Sequence, residues 1–594
     1  MFDALPIRPY TLCMVRRDEL LGSLHEAQVH SGQNWLSPDK IRDEALHQGL
    51  SAASLKGVAS YYSMFSLQPR GRHVVRLCAS PVCRLCGSLD LLDVVSEATG
   101  APVGGTDPSG EFTLETCQCL GRCAGAPAMM VDDRVYTNLD PTSISAIVAA
   151  ERAGAASKTA PSASIRARDL GPAAGRRIAL RFPAADYPAD AEEYARAGGW
   201  AGLRAALAKA PDEVVEELSR AKVRGRGGAG FPTGLKERAA AGSACSDKEG
   251  CERFVVCNAD EGEPGTFKDR IIMERTPQLL IEGMLVSAYA VGARRGFVYI
   301  RGEYSEAIAS VRAAIESARA SGYLGERIAG TEFSFDLELR TGAGSYLCGE
   351  ELTLIESLEG KRGYPRIKPP FPAEAGLWGK PTLVNNVETL AALPWVVENG
   401  ADAYLALGTA TSPGTKLFCL SGDVERPGYG EWEMGVSLGE LLVAAGGALD
   451  ARGRPAEKPL AVLLGGAAGT FVPGDALHLA MDYDSLKTAG ATLGSGAVIV
   501  LGPGRSVPET LSAIMDFFKH ESCGKCVPCR VGTARLAKAA RAFADAAKTA
   551  IGMPAELQAM VLDAEKIAKA SLCPLGQSPI LPLRSAARNL TRLS

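Results

Sequence analysis

The chain has 594 residues, which at roughly 150 residues per domain implies several folded units and more than one buried core. Hydrophobic residues at 46% and charged residues at 22% exclude wholesale disorder and fibrous repeats, and a net charge of -4 offers neither a basic footprint for nucleic acid nor a polybasic surface for an anionic membrane. With no apolar run of about 18 residues and no signal-peptide core at the start, a cytoplasmic protein without direct membrane insertion is expected.

In chain order, apolar residues at three- and four-residue spacing predict helices over Asp18–His30, Pro38–Gly49 and Ser51–Phe65, with Asp18 and Ser51 as N-caps. This is a helical head, residues 1–70. From 71 to 154 a strand over His73–Cys78, a helix over 85–100, strands over Phe112–Thr116 and Pro127–Asp133, and a helix from Pro141 predict a small α/β domain. Residues 155–184, rich in Ala, Ser, Pro and Arg, read as a solvated linker. Glycine-rich loops alternate with strands and helices over 185–411, including a helix over Leu279–Ala293, so a large α/β domain is expected. Over 412–502 strands near Lys416–Ser421, Leu460–Leu464 and Ala497–Leu501 surround one helix opened by the capping box Ser437 and Glu440, which predicts a single-helix α+β module. The remainder, 503–594, reads as helical.

Sixteen cysteines in a large chain without an export signal point to metal or redox chemistry rather than structural disulfides. Cys523, Cys526 and Cys529 follow C-x2-C-x2-C, and Cys573 stands far downstream; three thiolates on one turn and a fourth from elsewhere suit a cubane [4Fe-4S] cluster, with zinc as the alternative. Two further pairs, Cys78 with Cys83 and Cys119 with Cys123, lie next to predicted strands, where each pair would hold one iron of a [2Fe-2S] cluster. Cys86 and Cys117 compete for that role. Cys257 and Cys419 sit in apolar strands and read as small buried hydrophobes, whereas Cys245 and Cys251 in a polar loop are either a redox pair or incidental thiols.

Between the two cysteine sets lies RGRGGAGFPTGLK, Arg224 to Lys236, whose glycines allow close backbone approach to a phosphate and whose lysine adds positive charge. Three more loops accompany it: Asn258, Asp260, Glu261 and Glu263 in CNADEGEPGTFKDR; Tyr346, Gly349, Glu350 and Glu351 in GAGSYLCGEE; and Lys368, Phe371, Asn385, Asn386 and Thr389 in KPPFP and LVNNVET. Together they suggest a site for a flavin and a nicotinamide dinucleotide.

These motifs, with ESCGKCVPCR and SLCPLG, resemble the NADH-binding flavoprotein subunit of respiratory complex I, and GVASYYSMFSLQPRGRHVVRLC with CQCLGRCAGAPAMMVDD resembles the thioredoxin-like [2Fe-2S] subunit of the same complex. Fusions of this kind resemble diaphorase subunits of NAD-linked hydrogenases, formate dehydrogenases and bifurcating enzymes. The resemblance implies that Gly225, Gly228, Lys236, Asn258, Asp260, Glu261, Tyr346, Gly349, Glu350, Asn385, Asn386 and Thr389 hold FMN. It implies that Phe231, Glu263, Glu351, Lys368 and Phe371 face NAD(H), with Glu261 and Glu263 positioning the hydride transfer and no side chain acting as catalyst. It also implies that 71–154 is thioredoxin-like and 412–502 ubiquitin-like. After the lysine this family usually carries tryptophan and soon another aromatic; here Glu237, Arg238 and Ala239 follow Lys236, so one wall of the adenine pocket is expected to be missing. The function implied is hydride exchange between NADH and FMN, then one-electron transfer through the clusters to iron–sulfur partner subunits of a larger redox complex. The alternative is a non-enzymatic electron conduit with a degenerate nucleotide pocket.

Overall fold

The computed structural model describes residues 17–154, 167–173, 175–182, 190–243, 252–547 and 554–589. In the head, Ser37 and Ser51 cap the helices Pro38–His47 and Ala52–Ala59 by accepting from the amides of Lys40 and Ser54. Asp18 is not a cap. It is buried in a 3-10 turn, Arg17–Glu19, and pairs with Arg340 at 2.6 Å, so the helix Leu20–Val29 begins without a side-chain cap. The third helix ends early because the chain beyond it is taken up by tertiary contacts: Ser63 and Met64 donate their amides to Gly344 and Ala343, and Tyr61 shares a hydrogen bond with Ser345. Head residues such as Leu24, Leu55 and Tyr62 share one core with Phe254, Phe297 and Tyr299 of the large domain.

The second unit is a five-stranded mixed sheet in the order Gly105–Thr106, Phe112–Cys117, His73–Cys78, Ala128–Val131, Arg134–Thr137. Only the pair His73–Cys78 and Phe112–Cys117 is parallel, and its register sets Cys78 opposite Cys117. The helix expected over 85–100 is broken at Gly87 into Pro81–Leu85, a 3-10 turn over Ser88–Leu91 and Leu92–Thr99. The helix Pro141–Arg152 opens with a capping box between Asp140 and Ser143.

Four parallel strands form the sheet of the large domain, in the order Thr382–Asn386, Phe254–Ala259, Arg295–Ile300, Asp336–Thr341. Their apolar runs are buried on both faces, by the head on one side and by the helices Pro277–Val291 and Val387–Asn399 on the other. The four motif loops leave from the carboxyl ends of these strands or pack there, where α/β sheets open a crevice.

The module that follows has a six-stranded sheet, Thr470–Pro473, Ala461–Leu464, Ala497–Leu501, Thr415–Gly422, Gly428–Glu433, Arg168–Asp169. The Ser437–Glu440 capping box is present, but a second helix, Tyr483–Thr488, capped by Asp482, corrects the single-helix expectation. The last strand of that sheet belongs to the segment expected to be a linker. Its described part is not solvated: Ile178, Ala179 and Leu180 are buried, and their three amides donate to the Glu431 carboxylate at 2.9, 3.0 and 2.8 Å. Composition suggests solvation because the polar contacts here are made by backbone, which no side-chain pattern records. The C-terminal region is helical, Val507–His520, Val527–Ala547, Pro554–Ala570, Pro574–Gln577 and Ile580–Asn589. Among the described residues no helix is long and apolar enough to cross a membrane.

Candidate functional site

Cys78, Cys83, Cys119 and Cys123 are all buried. Cys78 ends its strand, Cys83 lies in the short helix after it, and Cys119 and Cys123 flank the tight loop at Gly121, with 3.5 Å between their sulfurs. Cys78 hydrogen-bonds with the sulfurs of Cys117 and Cys83, which holds its thiol well below the ordinary range. Cys117 is therefore a neighbour of the set, whereas Cys86 lies apart beside Asp423 and Arg505 and burial pushes it up to about 11. The large domain completes the pocket: the Gly265 amide donates to Cys123 at 3.3 Å, while Arg301 and Arg270 donate to the carbonyls of Cys119 and Gly121 at 2.6 and 3.0 Å. Four sulfurs converging on one spot, with amides already donating to two of them, fit a [2Fe-2S] cluster.

Cys523 and Cys526 occupy the loop between two long helices, Cys529 the first turn of Val527–Ala547, and Cys573 the start of Pro574–Gln577. The four lie close enough to act on one another electrostatically; burial and then the neighbouring sulfurs push Cys573 up to about 12, and burial pushes Cys529 to about 11. Three cysteines around one turn, with a fourth brought in from a separate helix, suit a cluster held by four thiolates. Cys523 and Cys526 remain half-exposed. Tyr346 ties this region to the loops of the crevice: its amide donates to Glu521 at 3.0 Å, its ring packs on Phe517 at 4.9 Å, and its hydroxyl donates to Glu263 at 2.6 Å.

In the crevice the expected residues separate into a framework and a lining. Gly225 donates to the Phe231 carbonyl and accepts from Tyr483; Thr389 accepts from the Arg226 amide; Asn386 caps the helix Val387–Asn399 and donates to Asp269. The Glu261 carboxylate accepts from the amides of Asp269 and Arg270, and Asn258 donates to the Gly349 carbonyl. These groups are engaged within the protein and shape the loops. Lys236, by contrast, shares the Glu351 carboxylate with Lys368, at 2.9 and 2.8 Å, and Lys368 also reaches Glu350 at 3.0 Å. The two ammonium groups hold the Glu351 carboxyl below its ordinary value against burial. Glu350 is at the same time the N-cap of Glu351–Leu358. Phe231 and Phe371, 49% and 51% exposed, rim this charged patch, and Gly228 lies half-buried in the glycine-rich loop between exposed Gly227 and Ala229. Asp260 and Glu263 are raised by burial, Glu263 to about 7.

Sequence reasoning missed the charges beneath this lining. Lys268 and Lys416, both fully buried, converge on the Glu388 carboxylate at 3.0 and 2.7 Å; Lys268 also pairs with Asp269, and buried Arg226 donates to Tyr404 at 2.9 Å. Burial opposes the Lys268 charge, but Asp269, Glu388 and Glu261 together hold it above its ordinary range. Lys268 and Asp269 do follow directly in the quoted acidic motif, and Glu388 lies in LVNNVET, so the available signal is a charged residue inside a glycine-rich or helix-capping motif. The altered stretch after Lys236 also reads differently in three dimensions. Glu237 points inward and is fully buried, whereas Arg238 and Ala239 are exposed, so of the three residues Glu237 is not part of an open pocket wall. Cys257 and Cys419 are buried as expected, and Cys245 and Cys251 lie outside the described residues.

Residues 8–152 match the family described as thioredoxin-like [2Fe-2S] ferredoxin, 218–395 the Nuo51 FMN-binding domain, and 509–592 the NADH-ubiquinone oxidoreductase-F iron-sulfur binding region. The chain is 46% identical over 398 residues to an NADH-quinone oxidoreductase subunit of Rhizobium meliloti (strain 1021), covering 67% of this chain and 91% of that protein. It is 38% identical over 499 residues to NAD-reducing hydrogenase HoxS subunit alpha of Cupriavidus necator, covering 82% of this chain and 77% of that one. Crystal structures of NAD+-reducing [NiFe]-hydrogenase, in the air-oxidized and H2-reduced states, superpose with TM-scores of 0.81 and 0.83 at 32% identity, covering 96% and 98% of this chain and 93% and 92% of theirs. The chain belongs to the family of NADH-oxidising FMN and iron–sulfur electron-transfer subunits, with a thioredoxin-like [2Fe-2S] domain fused ahead of the flavin and [4Fe-4S] domains. Its activity is NADH:acceptor oxidoreduction, and the family match over 509–592 makes the C-terminal region an iron–sulfur binding region rather than a zinc site.

Proposed function

We propose that Lys236, Glu351 and Lys368, with Phe231 and Phe371, would hold NAD(H), that the glycine-rich loop, Asn258, Asp260, Tyr346 and Asn385 would hold FMN, and that Cys523, Cys526, Cys529 and Cys573 would hold the cluster that supplies one-electron transfer. FMN supplies hydride acceptance and single-electron release. The protein's own part is positional. Gly227 and Gly228 leave room for phosphate, Lys236 and Lys368 meet anionic oxygens with the charge they now share with Glu351, and the two rings cover the base and exclude water. Glu261, Asn386, Thr389 and Gly225 also hold the loops in shape through their hydrogen bonds within the protein. Cys78, Cys83, Cys119 and Cys123 hold the [2Fe-2S] cluster on the side of Gly265.

The observation that carries this reading is two lysines meeting on one carboxylate at the carboxyl ends of a parallel sheet, beside two exposed phenylalanines. A carboxylate there accepts from the 2'-hydroxyl of NAD and repels the 2'-phosphate of NADP, so NADH is preferred. Dye reduction by NADH and NADPH tests this. Equal use of both removes the carboxylate argument, and no flavin reduction by either in FMN-loaded protein removes the assignment. The domain limits that accompany the reading are 1–70, 71–154, 155–184, 185–411, 412–502 as a ubiquitin-like module, and 503–594. The partners are iron–sulfur subunits of a hydrogenase, formate dehydrogenase or related complex in the cytoplasm, supported by the half-exposed Cys523 and Cys526 and by the reduced thiols the chain requires.

A further inference from the structure

Glu237 follows Lys236 on the helix Thr233–Gly242, which starts where the glycine-rich loop ends. Its side chain is 0% exposed. Oε1 accepts from the Ser287 hydroxyl at 2.9 Å and from the Asn385 side-chain amide at 3.4 Å, while Oε2 has no hydrogen-bond partner among the described residues. The two neighbours on this helix grip adjacent positions of one strand: Lys236 donates to the Val384 carbonyl at 3.3 Å, and Glu237 accepts from Asn385. Asn385 is the penultimate residue of the strand Thr382–Asn386, at the edge of the crevice.

We propose that Glu237 is a positioning residue of the flavin site, holding the Asn385 amide and the end of its strand against the helix of the glycine-rich loop. The proposal rests on the placement of Asn385 beside FMN argued above. It concerns a position where the resembled family usually carries an apolar tryptophan, so it describes a property of this chain.

The geometry asks for a neutral acid. A carboxylate with one oxygen unpartnered in the core is costly, whereas a carboxylic acid there loses far less on leaving water. Burial accordingly pushes the Glu237 carboxyl up to about 8, opposed by the Ser287 hydrogen bond and by the Lys236 charge. Other charges reach this helix at other residues: Glu216 of Pro211–Arg220 pairs with Arg238 at 2.7 Å, Glu351 pairs with Lys236 at 2.9 Å, and Arg253 donates to the carbonyls of Ala240 and Ala241. Ser287 faces it from Pro277–Val291 and Asn385 from the strand; Pro211–Arg220 presents Ser219 to Gly234, and the Glu374 carboxylate of Pro372–Ala375 is occupied by the Phe371 amide. Proton loss above about pH 8 leaves a buried charge at the back of the flavin site, the proton passing to solvent. If the flavin-loaded site keeps the acid neutral, linkage makes FMN affinity fall about tenfold per pH unit beyond that point.

The test is FMN binding to the full chain, stripped of flavin and titrated with FMN between about pH 6 and 9.5, for wild type, Glu237→Gln, Glu237→Ala and Asn385→Ala. The glutamine keeps both hydrogen bonds and cannot ionise. It is expected to match wild type at about pH 7 and to bind FMN roughly tenfold or more tightly than wild type at about pH 9.5. Glu237→Ala is expected to weaken FMN at neutral pH. Superimposable pH profiles for wild type and the glutamine variant overturn the proposal, as does wild-type affinity in the alanine variant. If the alanine variant fails to fold, the comparison of wild type with glutamine still decides. Asn385→Ala separates the two levels: unchanged FMN affinity there removes the placement of Asn385, whereas weakened FMN in Asn385→Ala with none in Glu237→Ala removes only the role of Glu237.

Discussion

The two thiol sets differ most in what surrounds them. The N-terminal four are buried between domains, with a glycine amide of the flavin domain donating to one sulfur and two of its arginines holding the loop carbonyls. Of the C-terminal four, Cys523, Cys526 and Cys529 span a loop and the first turn of the next helix and Cys573 starts a short helix far downstream; Cys523 and Cys526 are half-buried, and Val527 and Val531 on the adjoining helix are 59% and 57% exposed. One site is built by tertiary contact and faces inward; the other is built almost locally and faces out. The partly exposed thiols stand beside two exposed valines, whereas the buried four are closed in by residues of the flavin domain.

The largest expected effect comes from removing a ligand at the outward site. Cys526→Ala should lose roughly four of about six irons and transfer to the physiological acceptor, with FMN and the [2Fe-2S] signal retained. Full iron content in that variant would break the assignment.

A matched pair of glycines sharpens the contrast. Gly121 and Gly524 both lie inside cysteine loops at positive φ, 66° and 78°, but a Cβ at Gly121 would lie 2.1 Å from the Tyr304 hydroxyl, while one at Gly524 meets only Arg530 Cδ at 3.6 Å. Gly524→Ala should cost only the left-handed backbone term, about 1–2 kcal/mol, and keep its cluster. Gly121→Ala adds an overlap with a buried tyrosine and should lose the [2Fe-2S] signal. Equal iron loss in the two variants, measured by iron analysis and electron paramagnetic resonance, would mean the inward site does not depend on its tertiary seat.

Access should differ in the same sense. An iron chelator added to the intact protein is expected to bleach the [4Fe-4S] signal before the [2Fe-2S] signal, because two of its sulfurs meet solvent. The reverse order would contradict the burial difference. The smallest effect lies outside both clusters: Phe231→Ala or Phe371→Ala should each raise KM for NADH by about two- to tenfold, the equivalent of roughly 0.5–1.5 kcal/mol for one stacking contact, without changing iron content. Unchanged KM in both would move the nucleotide off that rim.

Much of the outward site is legible in the sequence because it is local. C-x2-C-x2-C on a turn places three sulfurs by covalent geometry, the Ser437–Glu440 and Ser51 caps form from residues three apart, and glycine-rich spacing marks a loop that a phosphate can approach. What side chains do after packing is not legible there. Asp18 reads as a cap and is the partner of Arg340; Glu237 reads as a lost wall and lies in the core.

By itself, then, the sequence determined the thiol spacings, the order of the units and the chemistry they can hold, since these depend on neighbours along the chain. Only the tertiary structure decided which charges are buried together, such as Lys268, Lys416 and Glu388, that residues 178–180 close over Glu431, and that Gly265 completes a cysteine pocket more than a domain away. The physical reason is that desolvation and long-range hydrogen bonding are set by the packed environment of each group, and a local pattern of residues carries no record of it.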